Sequence, residues 1–254
     1  MKALIFILAL ILHSQSSSSQ SVEVIGKSVY NMQLLRLQYR NKPERDSVFN
    51  AFDIFILGII NEQFIGKKKI EDLIWQAEQM KIDNINSIYT DYFLSMLKFS
   101  SNRHLITFGY DLLDNGDFHL YRNYLFVKGQ DGKFRVFEKT GLDKTSKFAC
   151  IEIKSLSCNG RLMHILTEYA TNDKTLHSQR IRFFEENDDG IFECFNCMNP
   201  NQVLTITSKL NQFPSVKIDD ESKILSYKEF IFKNEILDYS NEYKEIKLNV
   251  CECF

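Results

Sequence analysis

Between Asn41 and Phe99 apolar residues return every three or four positions; after Asn102 they begin to alternate with polar ones. The first rhythm belongs to helices with one buried face, the second to strands. Asn41 with Glu44 three residues on, and Pro43 between them, resembles a capping box opening a helix whose stripe is Val48, Phe49, Phe52, Phe55, Ile56, Ile59 and Ile60, with Gly66 as its stop. A second helix is predicted from about Lys68 to Met80 on Ile70, Leu73, Ile74 and Ala77. A third starts near Asp83 and carries Ile85, Ile88, Tyr89, Tyr92, Phe93, Met96 and Leu97.

Beyond Asn102, turn dipeptides arrive at Asn115-Gly116, Asp131-Gly132, Asn159-Gly160 and Asp189-Gly190, each between β-branched or aromatic runs. The clearest hairpin joins Tyr124–Lys128 to Lys133–Glu138. Further strands are predicted over Leu105–Leu112, Phe118–Val127, Phe148–Leu156, Arg180–Glu185, Val203–Ser208, Ile224–Phe232 and Tyr243–Val250. Arg161–Ala170 suits a strand or a helix, and Val22–Arg40 admits either a strand or a short helix. The predicted class is α+β: N-terminal helices (41–99) packed on a large antiparallel sheet (103–254) that can curl into a partial barrel. Pro is scarce and no repeat or low-complexity tract divides residues 20–254, so they read as a single domain.

Ahead of that domain, Lys2, the apolar run Ala3–Leu12 and a Ser/Gln stretch read as a cleaved export signal over residues 1–19, since the run is too short to span a bilayer. The expected location is therefore periplasmic or extracellular, with no membrane span after cleavage. The chain holds no Asn-x-Ser/Thr glycosylation site, which leans toward a periplasm. An oxidising compartment makes disulfides the first reading of the six cysteines Cys150, Cys158, Cys194, Cys197, Cys251 and Cys253. On one strand, Cys251 and Cys253 would stand about 6–7 Å apart, too far to bond each other, so each should bond elsewhere. With a formal net charge of −2, nothing suggests a nucleic-acid partner, which would need a strongly basic face.

Few residue patterns promise chemistry. Cys194-Phe195-Asn196-Cys197 could be a redox pair, but Met198-Asn199-Pro200 reads as a turn where such a pair needs a following helix. With Cys251 and Cys253 it could instead hold structural zinc on four thiolates. His164 and Glu168 would share a face if their segment were helical, yet they lack the second histidine of a zinc protease. His104, His119 and His177 stand isolated on predicted strands or strand ends. Asp114–Asp117 and Asn187–Gly190 lack the ligand spacing of a calcium loop, and no cofactor is implied.

Two functions remain. The first is a non-catalytic exported protein that binds a small apolar or aromatic ligand, or a protein partner, through the aromatic-rich sheet. The second is a hydrolase or lyase whose acid and base meet only in the fold, with His119, His164 (beside Glu168) or His177 near a carboxylate.

Overall fold

The computed structural model describes residues 22–60, 69–82, 87–111, 121–140, 148–158, 161–171, 176–188, 190–194, 204–209, 216–219, 221, 223–233 and 236–248. Among them the class is α+β, helices first and antiparallel strands after. The chain divides into two compact units, one from the described residues up to Leu97 with Asp131–Val136, the other from Lys98–Gln130 and the residues from Phe137 onward.

The first unit holds four helices among the described residues: α1 (Val22–Tyr39), α2 (Arg45–Ile59), α3 (Lys69–Ile82) and α4 (Ile88–Ser95). Val22–Arg40, open to two readings, is thus a helix, and its buried stripe Val22, Ile25, Val29 and Met32 keeps the helical spacing. The capping box does not form. Glu44 is the residue before α2 and makes no side-chain cap, so the helix begins two residues after Pro43. The helix expected from near Asp83 is described from Ile88, where Ser87 caps it by accepting the Thr90 N–H; Asp83 itself lies outside the described residues. Arg36 is buried in α1, with its guanidinium 4.5 and 4.4 Å from the Phe49 and Phe52 rings of α2 and a hydrogen bond to Gln33.

At Gly26 α1 passes close to α4, and a Cβ there would fall on the Tyr89 backbone carbonyl. Gly→Ala inside a helix ordinarily stabilises by about 1 kcal/mol. Here Gly26→Ala is expected to lower the unfolding temperature, because backbone cannot give way as a flexible side chain can. Thermal unfolding followed by circular dichroism checks the sign; a raised midpoint would contradict the packing.

Among the described residues the strands, most of them in the second unit, form three antiparallel sheets. One runs in the order β1 (Leu97–Phe99), β2 (Leu105–Asp111), β3 (Tyr121–Lys128) and β4 (Phe134–Thr140). The second runs β5 (Ala149–Cys158), β6 (Arg161–Thr171), β7 (Leu176–Asn187) and β8 (Gly190–Glu193), with β9 (Leu204–Lys209) also on β7. The third joins β10 (Lys217–Asp219), β11 (Ile224–Lys233) and β12 (Ile236–Lys247). Among the described residues the single large sheet expected from the sequence is therefore divided, and they form no closed barrel. The segment open to helix or strand, Arg161–Ala170, is strand β6.

The five-stranded sheet is covered on both faces. On one, Leu156, Met163, Ile165, Ile181, Phe183 and Ile206 share a core with Leu225, Tyr227 and Leu248. On the other, Leu166, Phe184 and Ile191 share a core with Leu105 of β2 and Leu125 of β3. The aromatic-rich strand β3 does not alternate cleanly either: Asn123, Tyr124, Leu125 and Phe126 are buried in succession, the pattern of a strand with both faces covered.

Candidate functional site

Register brings the candidate residues together. The two-residue connection between β5 and β6 pairs Cys158 with Arg161, and counting back along both strands sets Ser155 opposite His164. In the β6–β7 pair His164 faces Phe184, which leaves Glu186, two residues further along β7, as its diagonal neighbour on the same face. The β5 strand also bulges between Cys150 and Glu152, so that Cys150 and Ser155, five apart, project from one face.

The resulting hydrogen bonds form a chain. Ser155 Oγ lies 3.0 Å from His164 Nδ1, and His164 Nε2 lies 2.9 Å from Glu186 Oε2. A third strand end joins them: His104 Nδ1 is 2.5 Å from Glu186 Oε1, and Asn102 Nδ2 donates to Oε2 at 2.7 Å. Asn102 Oδ1 accepts from Ser100 Oγ and from the His104 N–H. The Ser101 N–H donates to Ser155 Oγ at 3.1 Å. Thus the Ser100–Leu105 turn, in which Arg103 adopts a left-handed backbone (φ 59°), is tied to the five-stranded sheet at Ser155 and at Glu186.

Donor and acceptor roles follow from the carboxylate. Burial alone would raise the Glu186 carboxyl, but hydrogen bonds from His104, Asn102 and His164 outweigh it and hold the group below its ordinary value. An ionised carboxylate accepts only, so His164 Nε2 and His104 Nδ1 each present N–H to it. Burial lowers the pKa of His164, and the repulsion of His104 adds to this against the Glu186 contact that raises it. His164 is therefore neutral at pH 7, with an Nδ1 lone pair turned toward Ser155. Because Ser155 Oγ already accepts from Ser101, its own proton is left to point at that lone pair. His164 is fully buried, while Ser155 is half-buried.

The other candidates are placed elsewhere. Glu168 does not partner His164: on a strand, residues four apart are about 13 Å apart, and Glu168 pairs instead with Arg180 at 2.5 Å and Arg182 at 3.7 Å. Arg182 in turn makes a two-pronged pair with Glu193, both contacts 2.7 Å. His177 is buried, with its ring 5.1 Å from that of Tyr169. His119 lies outside the described residues.

Cys150 corrects the expectation that all six cysteines are bridged. It is a free thiol, its Sγ 3.5 Å from the Glu152 carbonyl, and burial pushes its pKa up to about 12 despite a hydrogen bond with Thr107. Cys150 faces the core shared with β2 and β3, where no other described sulfur stands. Cys194 is disulfide-bonded, to a cysteine whose side chain is outside the described residues. The side chains of Cys158, Cys197, Cys251 and Cys253, and with them the zinc and connectivity readings, lie outside those residues too. Among the described residues no group of three or more His, Cys, Asp or Glu side chains is arranged to hold a metal. No described helix is long and apolar enough to cross a membrane.

The sequence reading leaves His104 isolated, whereas it meets Glu186, and does not single out Asn102, Ser155 or Glu186. Comparison of the chain with protein-family models, with curated proteins and with solved structures finds no match.

Proposed function

We propose that the protein is an exported hydrolase or lyase working by acid–base chemistry at the His164–Glu186 pair. The observation that carries this reading is the chain Ser155–His164–Glu186, in which a neutral imidazole has one nitrogen fixed on a carboxylate and the other free to take a proton. A purely structural histidine needs only to be satisfied; this one is also held as a single tautomer, with its basic nitrogen directed at a hydroxyl. The export assignment rests on the apolar run Ala3–Leu12 that follows Lys2.

The test is turnover of p-nitrophenyl acyl esters and glycosides by the purified protein at pH 7.5, alongside His164→Gln. Turnover should fall about 10²–10⁴-fold in the variant, the usual contribution of a positioned general base. Equal rates in two equally folded proteins would end the proposal.

A second reading is favoured by a different observation. Phe137, Ile151, Phe192 and Tyr243 in the strand-built unit are large apolar side chains 42–50% exposed and so open to apolar contact. On that reading the protein is non-catalytic and binds an apolar or aromatic ligand or a protein partner there, and the His164 chain is a clamp. Absence of turnover, together with retention of an aromatic compound by wild type but not by Phe192→Ser, would favour it.

A further inference from the structure

Acid–base work at His164 leaves open which atom attacks the substrate, and the arrangement around Ser155 answers it. Ser155 Oγ receives the Ser101 N–H at 3.1 Å and sits 3.0 Å from His164 Nδ1, the nitrogen that carries the lone pair. Among the described residues the hydroxyl proton therefore has one strong acceptor within reach, and none of them engages the oxygen's remaining lone pair. His164 cannot turn away, because its Nε2–H is held by Glu186, itself held by Asn102 and His104. Ser155 is the half-buried end of this chain and His164 the fully buried middle, so approach from outside reaches the hydroxyl before the base. A nucleophile, a base within hydrogen-bond reach and a third group orienting the base are the parts that activate a serine.

We propose that Ser155 is a nucleophile for acyl transfer and that the substrates are carboxylic esters or similarly activated acyl compounds; this rests on the acid–base reading of His164. The Ser155 oxygen adds to the acyl carbon as its proton passes to His164 Nδ1, and the carbonyl π pair moves onto oxygen. When that pair returns, the bond to the leaving alkoxide breaks and the alkoxide takes the proton from Nδ1. Water then adds to the acyl-serine carbon and gives a proton to Nδ1; the bond to Ser155 Oγ breaks, and the oxygen recovers that proton. The His164 Nε2–H stays on Glu186 throughout. The nitrogens are used in a fixed order: Nδ1 serves the serine and Nε2 the carboxylate, as the pairing of β5, β6 and β7 dictates. Glu186 is a positioning residue in this scheme, acting through the imidazole.

The test uses the full chain and an alkyl fluorophosphonate, which forms a P–O bond with an activated serine and releases fluoride. Peptide mapping by mass spectrometry should find one label, on Ser155, and none on Ser157, the exposed serine two residues along the same strand. His164→Gln should slow labelling at least 100-fold. Glu186→Gln should move the midpoint of the labelling pH profile downward, since the carboxylate's charge raises the imidazole's proton affinity; a merely structural contact would leave the midpoint in place. Should Ser155→Ala fail to fold, Ser155→Cys replaces it, and its thiol should react with iodoacetamide well below the pH at which an ordinary thiol does. No label on Ser155 in a folded protein, equal labelling of Ser157, or a rate indifferent to His164 would overturn the inference. Ester turnover that depends on His164 but survives in Ser155→Ala would remove Ser155 alone; loss of His164 dependence would remove both readings.

Discussion

Glu186→Ala is expected to lower the unfolding free energy at pH 7 by about 3 kcal/mol, more than a typical single substitution. The carboxylate accepts from Asn102, His104 and His164, and removing it leaves a fully buried imidazole N–H without its partner while taking away one of the two ties between the Ser100–Leu105 turn and the five-stranded sheet, the Ser101–Ser155 bond remaining. Urea unfolding measures the difference, and its pH dependence gives a second check. The folded-state pKa of Glu186 is depressed, so its contribution is present above the ordinary value of 4.5 and is lost as pH falls through the folded value. The deficit of Glu186→Ala should therefore be full at pH 7 and should narrow below pH 4.5. His164 has a depressed value as well, so the protonated form is favoured in the unfolded chain, and its contribution is present above 6.5 and declines as pH falls. Wild type should thus lose stability in two stages on acidification. A deficit under about 1 kcal/mol, or one that does not change with pH, would contradict the role given to Glu186.

Phe184→Ala should cost about 3–5 kcal/mol, the range for deleting a buried aromatic ring. Phe184 is fully buried on the same face as His164, in the core that joins β6, β7 and β8 to Leu105 and Leu125. Phe137 meets its ring edge-on at 5.9 Å, and the Arg182 guanidinium lies 5.1 Å over it. Phe184→Leu keeps most of the volume and should cost under about 1.5 kcal/mol. The same urea series measures both. Equal small losses for Ala and Leu would mean that this core is not closed.

Helices α2, α3 and α4 were legible in the sequence because a buried stripe repeats within one element; the α1 segment admitted either a helix or a strand. The apolar positions of α2, Val48, Phe52, Phe55, Ile56 and Ile59, are those its spacing marked. Helix ends were not, because Asn41 and Glu44 make a capping pattern that competes with the turn holding Lys42 on Tyr39 and Arg45 on Lys42. The division of the strands into three sheets could not be read either, since strand pairing joins distant residues and period-two patterns say which face is buried but not by what.

For the site, the legible part was smaller. His164 was a candidate, but on the partner Glu168, which would suit a helix; the strand instead turns Glu168 toward Arg180. One signal could have found Ser155: the Asn159-Gly160 turn, taken as a two-residue hairpin loop, fixes 155 opposite 164 by counting. Glu186 needed the β6–β7 register, and His104 with Asn102 needed the packing of one sheet on another, which no local pattern encodes. The bulge in β5 hid Cys150 in a similar way, since simple alternation puts 150 and 155 on opposite faces.

The protonation state of His164 tests all of this at its root. Nitrogen and proton NMR of ¹⁵N-histidine-labelled protein at pH 7 should show His164 as a neutral imidazole with its proton on Nε2, strongly hydrogen-bonded, and an unprotonated Nδ1 shifted by accepting a bond, a shift that Ser155→Ala removes. A proton on Nδ1, or a doubly protonated ring at that pH, would mean that Ser155 faces no base and that the chain from hydroxyl to carboxylate does not exist.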